Sequence, residues 1–284
     1  MKTYALYNKL AGNGEGRNRA EKLKEVWKDR EITFVSMDES LDYASFAKEL
    51  SKDDVIVICG GDGTLNRFIN DTDGLKIDND IMCFATGSGN DFLRDLGCEP
   101  GSEPVKINKY IENLPTVTVK GKTYKVLNGV GYGIDGYCCE VGDQIRRDSP
   151  NSTINYTGIA IKGLLFHYKP TSAKVTVDGK TYTYKKVWLA PTMNGRFYGG
   201  GMMPTPNQKR ISDDKKISTL VLYGSGKLKT LIVFPSLFKG EHIKHTEMTA
   251  IHEGKNIKVE FDRPVALQID GETILGVSEY SMKA

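Results

Sequence analysis

The sequence predicts two domains of different class: an α/β layer in the first part of the chain and a β-rich, mainly antiparallel second part. Three observations carry that expectation. Short apolar runs alternate with helix-period stretches up to about residue 100. Strand-like runs meeting at Asp-Gly or Lys-Gly-Lys turns take over from about residue 115. Glycine makes up 30 of 284 residues, about 10.6% against a usual ~7%, and 15 of the 30 fall in five tight clusters. The clusters are Gly12/Gly14/Gly16, Gly60/Gly61/Gly63, Gly87/Gly89, Gly129/Gly131/Gly133/Gly136 and Gly199/Gly200/Gly201. Clustered glycine marks backbone held in special conformations or approached closely by something.

In chain order, Thr3 to Tyr7 reads as a strand that ends in a glycine-rich loop, and residues 17–28 as a helix with Ala20, Leu23, Val26 and Trp27 on one face. Ile32 to Val35 is a second strand and Leu41 to Leu50 a second helix. Val55 to Cys59, an unbroken apolar run, reads as a strand covered on both faces. A helix from Leu65 to Asn70, a strand from Ile81 to Ala85 and a short helix from Asp91 to Leu96 follow. Beyond residue 115 the strands are Val117 to Val119, Thr123 to Leu127, Ala173 to Val177, Thr181 to Tyr184, Val187 to Pro191, Leu220 to Tyr223, Ile257 to Phe261 and Ala266 to Ile269. Helices over 152–168 and 226–239 interrupt them.

Composition narrows the function. A net charge of +3 is too weak to argue for nucleic acid. The five cysteines are odd in number and form no Cys-x-x-Cys pair, which reads as buried free thiols in a reducing compartment. Met1 to Leu10 holds no signal-peptide core, and no apolar run approaches the ~20 residues that span a bilayer. The expected location is cytoplasmic.

The strongest chemical signal is Gly60-Gly61-Asp62-Gly63-Thr64-Leu65-Asn66, set between a buried strand and a helix. Glycines there let backbone N–H groups converge, and a helix start adds partial positive charge, so the string suits a phosphate. Asp62 would repel that ligand unless it holds Mg²⁺ or a water in the metal's shell. The plainer reading is a strand-to-helix turn with Asp62 as a cap. Asn8 to Gly16 and Thr86-Gly87-Ser88-Gly89-Asn90-Asp91-Phe92 follow two other strands, so three polar glycine-rich loops share one sheet edge, where ligands of α/β proteins bind. None is a Walker A loop, and none fits a Gly-x-Gly-x-x-Gly dinucleotide fingerprint. Late in the chain, Asp270-Gly271-Glu272 reads either as a plain hairpin turn or as two carboxylates at one turn, one to accept a hydroxyl proton and one to orient it or bind metal.

Together, Gly60 to Asn66, Gly87 to Phe92 and Asp270-Gly271-Glu272 resemble the diacylglycerol kinase catalytic-domain family, which includes soluble bacterial diacylglycerol kinases, related lipid kinases and sphingosine kinases. Gly240-Glu241-His242-Ile243-Lys244-His245, and its spacing to Asp270, resembles the bacterial branch. The Gly-Gly-Asp-Gly-Thr element is shared with NAD kinases and phosphofructokinases. The resemblance therefore implies a phosphofructokinase/NAD kinase-like three-layer nucleotide domain over 1–118 and a β-rich lipid-substrate domain over 119–276. A C-terminal tail, 277–284, would return to the first domain, with the active site in the interdomain cleft.

It also implies an ATP-dependent lipid kinase that transfers the γ-phosphate to a lipid hydroxyl, foremost diacylglycerol giving phosphatidic acid, with ATP and Mg²⁺ as cofactors. Asn8, Lys9, Leu10, Ala11, Gly12, Gly60, Gly61, Asp62, Gly63, Thr64, Leu65, Asn66 and Ser88 match its ATP-binding positions. Asp270 matches its general base and Glu272 its second acidic residue. Asp62 and Asp91 match acidic positions near the catalytic Mg²⁺, and Asp214 with the carbonyls of Ile211 and Lys216 matches a structural Mg²⁺ loop. Lys9, Lys215 and Thr118 depart from the family pattern at a proline, a glycine and an acidic position.

The implied partner is a lipid at a membrane surface, met transiently at the inner face by peripheral contact; a homodimer stays open. Arg146/Arg147, Lys185/Lys186, Lys215/Lys216, Lys239 and Lys244 are candidates for that contact. Phe166, Tyr168, Phe197, Tyr198, Met202 and Met203 are candidates for an acyl slot. His242 and His245, three apart with no third ligand nearby, read as polar contacts rather than as a zinc pair. The alternatives are a kinase of another lipid or of NAD, and a nucleotide- or lipid-binding protein without catalysis.

Overall fold

The computed structural model describes residues 1–12, 14–86, 89–99, 101–149, 152 and 154–284. It divides into two compact units, Met1–Asn113 and Leu114–Ala284, five residues before the expected boundary.

The first unit runs β1 (Thr3–Tyr7), α1 (Gly16–Glu21), α2 (Leu23–Val26), β2 (Ile32–Ser36), α3 (Tyr43–Glu49), β3 (Val55–Gly60), α4 (Asp62–Asp71), β4 (Asp80–Ala85), α5 (Asp91–Asp95), β5 (Val105–Lys106) and α6 (Asn108–Ile111). Its sheet has the order β2-β1-β3-β4-β5, with the first four strands parallel and β5 antiparallel. All six residues of β3 are buried, as its unbroken apolar run requires of a central strand. Helix α3 starts where the Asp42 carboxylate accepts the N–H groups of Ala44 and Ser45, at 2.9 and 3.2 Å. Helix α4 starts at Asp62, three residues before the expected Leu65, because Thr64 and Leu65 both donate to the Gly61 carbonyl at 3.1 Å.

The second unit runs β6 (Thr116–Val119), β7 (Lys122–Lys125), β8 (Gly129–Tyr132), α7 (Ile134–Asp148), α8 (Tyr156–Lys162), a π-helical turn (Gly163–His167), β9 (Thr171–Val177), β10 (Lys180–Val187), β11 (Thr192–Met193) and β12 (Ile217–Leu222). It continues with α9 (Lys227–Val233), 3-10 turns at Phe234–Lys239 and Glu241–Lys244, β13 (Thr249–Gly254), β14 (Asn256–Ile269) and β15 (Glu272–Lys283). The sheet follows the path β13-β12-β11-β8-β14-β15-β6-β7, and β9 joins β10 to β14. All these pairings are antiparallel.

Three expectations change here. The two strands expected over Ile257 to Phe261 and Ala266 to Ile269 are one strand, β14, whose register with β15 slips between Glu260 and Val265. Pro264, with no N–H to donate, falls inside that slip. The tail over 277–284 pairs, as expected, with residues of the expected first domain (1–118), but those residues belong to the second unit because the boundary lies earlier. Ser281, Met282 and Lys283 pair with Thr118, Val117 and Thr116 of β6, and Val277, Tyr280 and Met282 are buried in the second unit's core. The glycine cluster from Gly129 to Gly136 forms β8 and the start of α7, neither of which its composition suggested. A Cβ on Gly131 would lie 1.5 Å from Asp135 Oδ2, and one on Gly136 1.9 Å from the Ala266 carbonyl oxygen. These glycines let α7 lie directly on β14. Tyr132 of β8 stacks on Phe261 at 3.8 Å, and its hydroxyl donates to the Val277 carbonyl at 2.6 Å.

The expected acyl slot does not form as one lining. Tyr168 is buried with Trp188 and Leu164, Tyr198 and Met202 are buried with Met193, and Phe166 is exposed. The five cysteines are free; Cys59, Cys83 and Cys138 are buried, and burial pushes the Cys59 thiol up to about 12.

Candidate functional site

In the first unit the loops after β1, β3 and β4 leave one edge of the sheet from neighbouring strands. Hydrogen bonds join them. The Asp62 N–H donates to the Gly89 carbonyl at 3.1 Å, and the Thr86 N–H to the Gly60 carbonyl at 3.2 Å. The Asp62 carboxylate accepts the N–H groups of Asp91 and Phe92 at 2.7 and 2.9 Å. Asp62 thus caps α5 and fixes the loop after β4 to the loop after β3.

The motif from Gly60 to Asn66 divides by burial. Gly60 is buried, and a Cβ there would meet Thr64 at 2.5 Å. Thr64, Leu65 and Asn66 are buried, and Asn66 Oδ1 accepts from Asn70 at 2.9 Å. These side chains build the turn. The accessible residues are Gly61, Asp62 and Gly63. A Cβ on Gly63 would meet nothing within 4 Å, and its φ is not positive, so neither packing nor conformation requires glycine there. Among the described residues, the Gly63 N–H has no backbone acceptor, whereas those of Asp62, Thr64 and Leu65 each have one. An exposed helix-start amide beneath open space is what a phosphate oxygen needs.

Around this point, Asn8 folds the first loop by accepting the Leu10 N–H at 2.9 Å, and the Ala11 N–H donates to the Asn8 carbonyl at 3.1 Å. Lys9 pairs with Asp38 at 3.0 Å, while Leu10 and Gly12 are exposed. Arg19, which nothing in the sequence singled out, reaches the Thr86 carbonyl at 3.5 Å and lies against Gly12, placing a cation between the first and third loops. Ser88 lies outside the described residues.

In the second unit Asp270 sits at the β14–β15 turn with φ of 47°, a left-handed conformation that Asp tolerates. The hairpin turn forms, and it carries both carboxylates. The Asp270 carboxylate accepts three backbone N–H groups, from Leu127, Asn128 and Gly129 at 2.6, 2.7 and 3.0 Å. The same segment is gripped from its carbonyl side. Asn194 donates to Leu127 at 2.9 Å through its side chain and to Asn128 at 2.8 Å through its N–H. The Arg210 guanidinium reaches the Leu127 carbonyl and, at 2.8 Å, Asn128 Oδ1. Glu272 opens β15 and is exposed.

Behind the turn, Gln268 Oε1 accepts the Gly271 N–H at 2.7 Å, and Gln268 Nε2 donates to Asp135 Oδ2 at 2.9 Å. Asp135 is buried, and burial pushes its carboxyl up to about 6 against the opposing effect of Gln268. Arg210, Asn194, Gln268 and Asp135 escaped the sequence reading. Only Asp135 left a trace there, as an acidic residue inside a glycine-apolar run.

Asp135 carries a pH prediction. Its folded value lies above the unfolded 3.8, so its contribution is fully present below pH ~4 and is lost as pH rises towards 6. Above that the folded state holds a buried charge at a cost of about 3 kcal/mol. Asp135→Asn keeps an oxygen for Gln268. It is expected to raise the unfolding midpoint at pH 7.5 and to lose that advantage near pH 4, as measured by denaturant unfolding across pH.

The residues expected at metals have other partners in this structure. Asp62 is engaged by two amides, and Asp91, which opens α5, is buried. Asp214 pairs with the Lys216 ammonium at 3.0 Å, the Lys216 carbonyl accepts from Gln208 at 2.8 Å, and Ile211 is exposed. The hydrogen bond to Lys216 holds the Asp214 carboxyl below its usual range. A lysine ammonium thus neutralises the carboxylate that would ligate the structural ion. Among the described residues no group of three or more His, Cys, Asp or Glu could hold a metal. His242 is a buried structural residue whose Nε2 lies 2.9 Å from the Pro204 carbonyl.

Residues 2–122 match the diacylglycerol kinase catalytic domain, and residues 128–280 match the YegS C-terminal NAD kinase beta sandwich-like domain. The chain is 26% identical over 272 residues to the diacylglycerol kinase of Mycobacterium tuberculosis, covering 91% of this chain and 85% of that one. A crystal structure of a diacylglycerol kinase from Bacillus anthracis shares the fold, with a TM-score of 0.64 at 22% identity over 99% of this chain and 94% of that one. With both halves matched in order, the chain belongs to the diacylglycerol kinase family of lipid kinases and is a phosphotransferase acting on an alcohol group.

Proposed function

We propose that the chain phosphorylates the free hydroxyl of diacylglycerol with ATP, giving phosphatidic acid and ADP. The observation that carries this reading is Asp270, a carboxylate fixed by three backbone amides at an accessible turn, with Glu272 two residues on. A positioned carboxylate is what a lipid alcohol needs in order to lose its proton as it attacks. The name of the Mycobacterium tuberculosis relative supports diacylglycerol as the lipid.

Gly61 to Gly63, with the folded Asn8 loop and Arg19, supply amides and a cation for the triphosphate. Asp270 accepts the hydroxyl proton while the oxygen forms its bond to the γ-phosphorus. The bond from that phosphorus to the bridging oxygen breaks, and the electron pair leaves with ADP. Arg210 and Asn194 hold the segment that orients Asp270. The exposed Glu272 orients the hydroxyl.

The test is transfer of labelled phosphate from ATP, with magnesium present, to dioctanoylglycerol, sphingosine, phosphatidylinositol and NAD in parallel. Labelling of dioctanoylglycerol well above the others is the expected result. Labelling of NAD alone, or nucleotide binding without transfer to any lipid, would overturn the reading.

A further inference from the structure

We propose that the outer face formed by α8, its following π turn, α9 and the turn after it docks on an anionic lipid bilayer. This rests on the lipid-kinase reading only for the reason such a face would be useful. The face itself is seen in the exposure and charge of its residues.

Helix α9 buries Thr230 and Val233 against the core and points Leu228 and Ile232, one helical turn apart, the opposite way. Leu228 is 68% exposed and Ile232 70%. A helix apolar on both sides is ordinarily covered on both sides. The preceding element repeats the pattern. Ala160 and Leu164 are buried in the same core cluster, while Ile161 and Phe166 face out, with Phe166 73% exposed. Leu237 is buried and Phe238 exposed in the turn after α9. Lys227, adjacent to Leu228, donates to the carbonyl of Leu165, adjacent to Phe166, at 2.7 Å. The two apolar edges are therefore neighbours on one surface.

Charge selects the occupant. Residues 155–169 and 226–240 contain no Asp or Glu and carry Lys162, Lys169, Lys227, Lys229 and Lys239, all exposed. The nearby acids Glu241 and Glu247 are paired with Lys244 and Lys229, at 3.1 and 2.8 Å. A second copy meeting this face symmetrically would set lysines against lysines. An anionic bilayer accepts both features, with headgroups opposite the lysines and the rings and aliphatic tips inserted between them. No helix among the described residues is long and apolar enough to cross a membrane, so the contact is with the surface layer.

The test is co-sedimentation without ATP on vesicles of phosphatidylglycerol and phosphatidylcholine, and on phosphatidylcholine alone. The wild-type chain is expected to bind the anionic vesicles and to release them as salt rises. Leu228→Ser with Ile232→Ser, and separately Phe166→Ser, are expected to weaken binding about tenfold or more. Lys162→Glu with Lys239→Glu should abolish the preference for anionic vesicles. Phosphorylation of a water-soluble short-chain diacylglycerol should be unchanged in all of them. Equal vesicle binding by the serine variants would overturn the proposal, as would a wild-type dimer that the same variants dissolve. A chain that binds vesicles but phosphorylates no lipid would keep this face and sink the kinase reading. A chain that phosphorylates the short-chain lipid and ignores vesicles would do the reverse.

Discussion

Asp270→Asn is expected to lower turnover by ~10²–10⁴-fold, about 3–5 kcal/mol in the barrier, with nucleotide affinity unchanged. Asparagine tolerates the left-handed conformation at this turn and keeps one oxygen for the Asn128 and Gly129 amides. It cannot take a proton from an alcohol. Its amide nitrogen would also face the Leu127 N–H, a donor against a donor, which costs about 1–3 kcal/mol of stability. The two losses separate by experiment. Turnover on dioctanoylglycerol is measured well below the variant's unfolding midpoint, and ATP affinity is measured by titration calorimetry. Turnover within about twofold of wild type would remove Asp270 from the chemistry and leave it as the clamp on Leu127 to Gly129.

Gly63→Val is expected to abolish nucleotide binding, with an affinity loss of at least ~100-fold, about 2.7 kcal/mol, while the fold is kept. The space that a Cβ would enter is open and φ is not positive, so nothing within the chain resists the substitution. Replacing a helical glycine generally stabilises the helix by a few tenths of a kcal/mol or more. What a valine would block is the approach of a phosphate to the Gly63 N–H. Gly136→Val is the contrasting control. Its Cβ would lie 1.9 Å from the Ala266 carbonyl oxygen, so that variant should lose stability and leave nucleotide contacts in the first unit untouched. Unchanged ATP affinity in Gly63→Val would mean that the phosphate is not held at the start of α4.

Much of the architecture was legible because local pattern and tertiary placement agreed. β1, β3 and β4 lie where their apolar runs are, and α3 starts at the Asp42 cap. β8 and α7 were illegible for a physical reason. Their glycines serve close approach between α7 and β14, and a sequence does not display the partner a glycine makes room for. β15 was missed because its inward residues, Val277, Tyr280 and Met282, are spaced irregularly across exposed Ser278, Glu279 and Ser281. That spacing weakens the period-2 signal of a strand.

The candidate site divides in the same way. The sequence by itself determined which glycine-rich loops follow the strands and which turn carries the carboxylates, because glycine, aspartate and strand ends in that order are local properties of the chain. Only the tertiary structure decided which donors each carboxylate meets. Asp62, expected at a metal, is taken up by the amides of α5, and Asp214 by the ammonium of Lys216. Asp270 is held by a segment more than 140 residues away in sequence, as is Gln268 by Asp135 at a separation of 133. The charge on a carboxylate is written in the sequence. The donors that orient it or use it up arrive through folding, since hydrogen bonds act over about 3 Å in space whatever the separation along the chain.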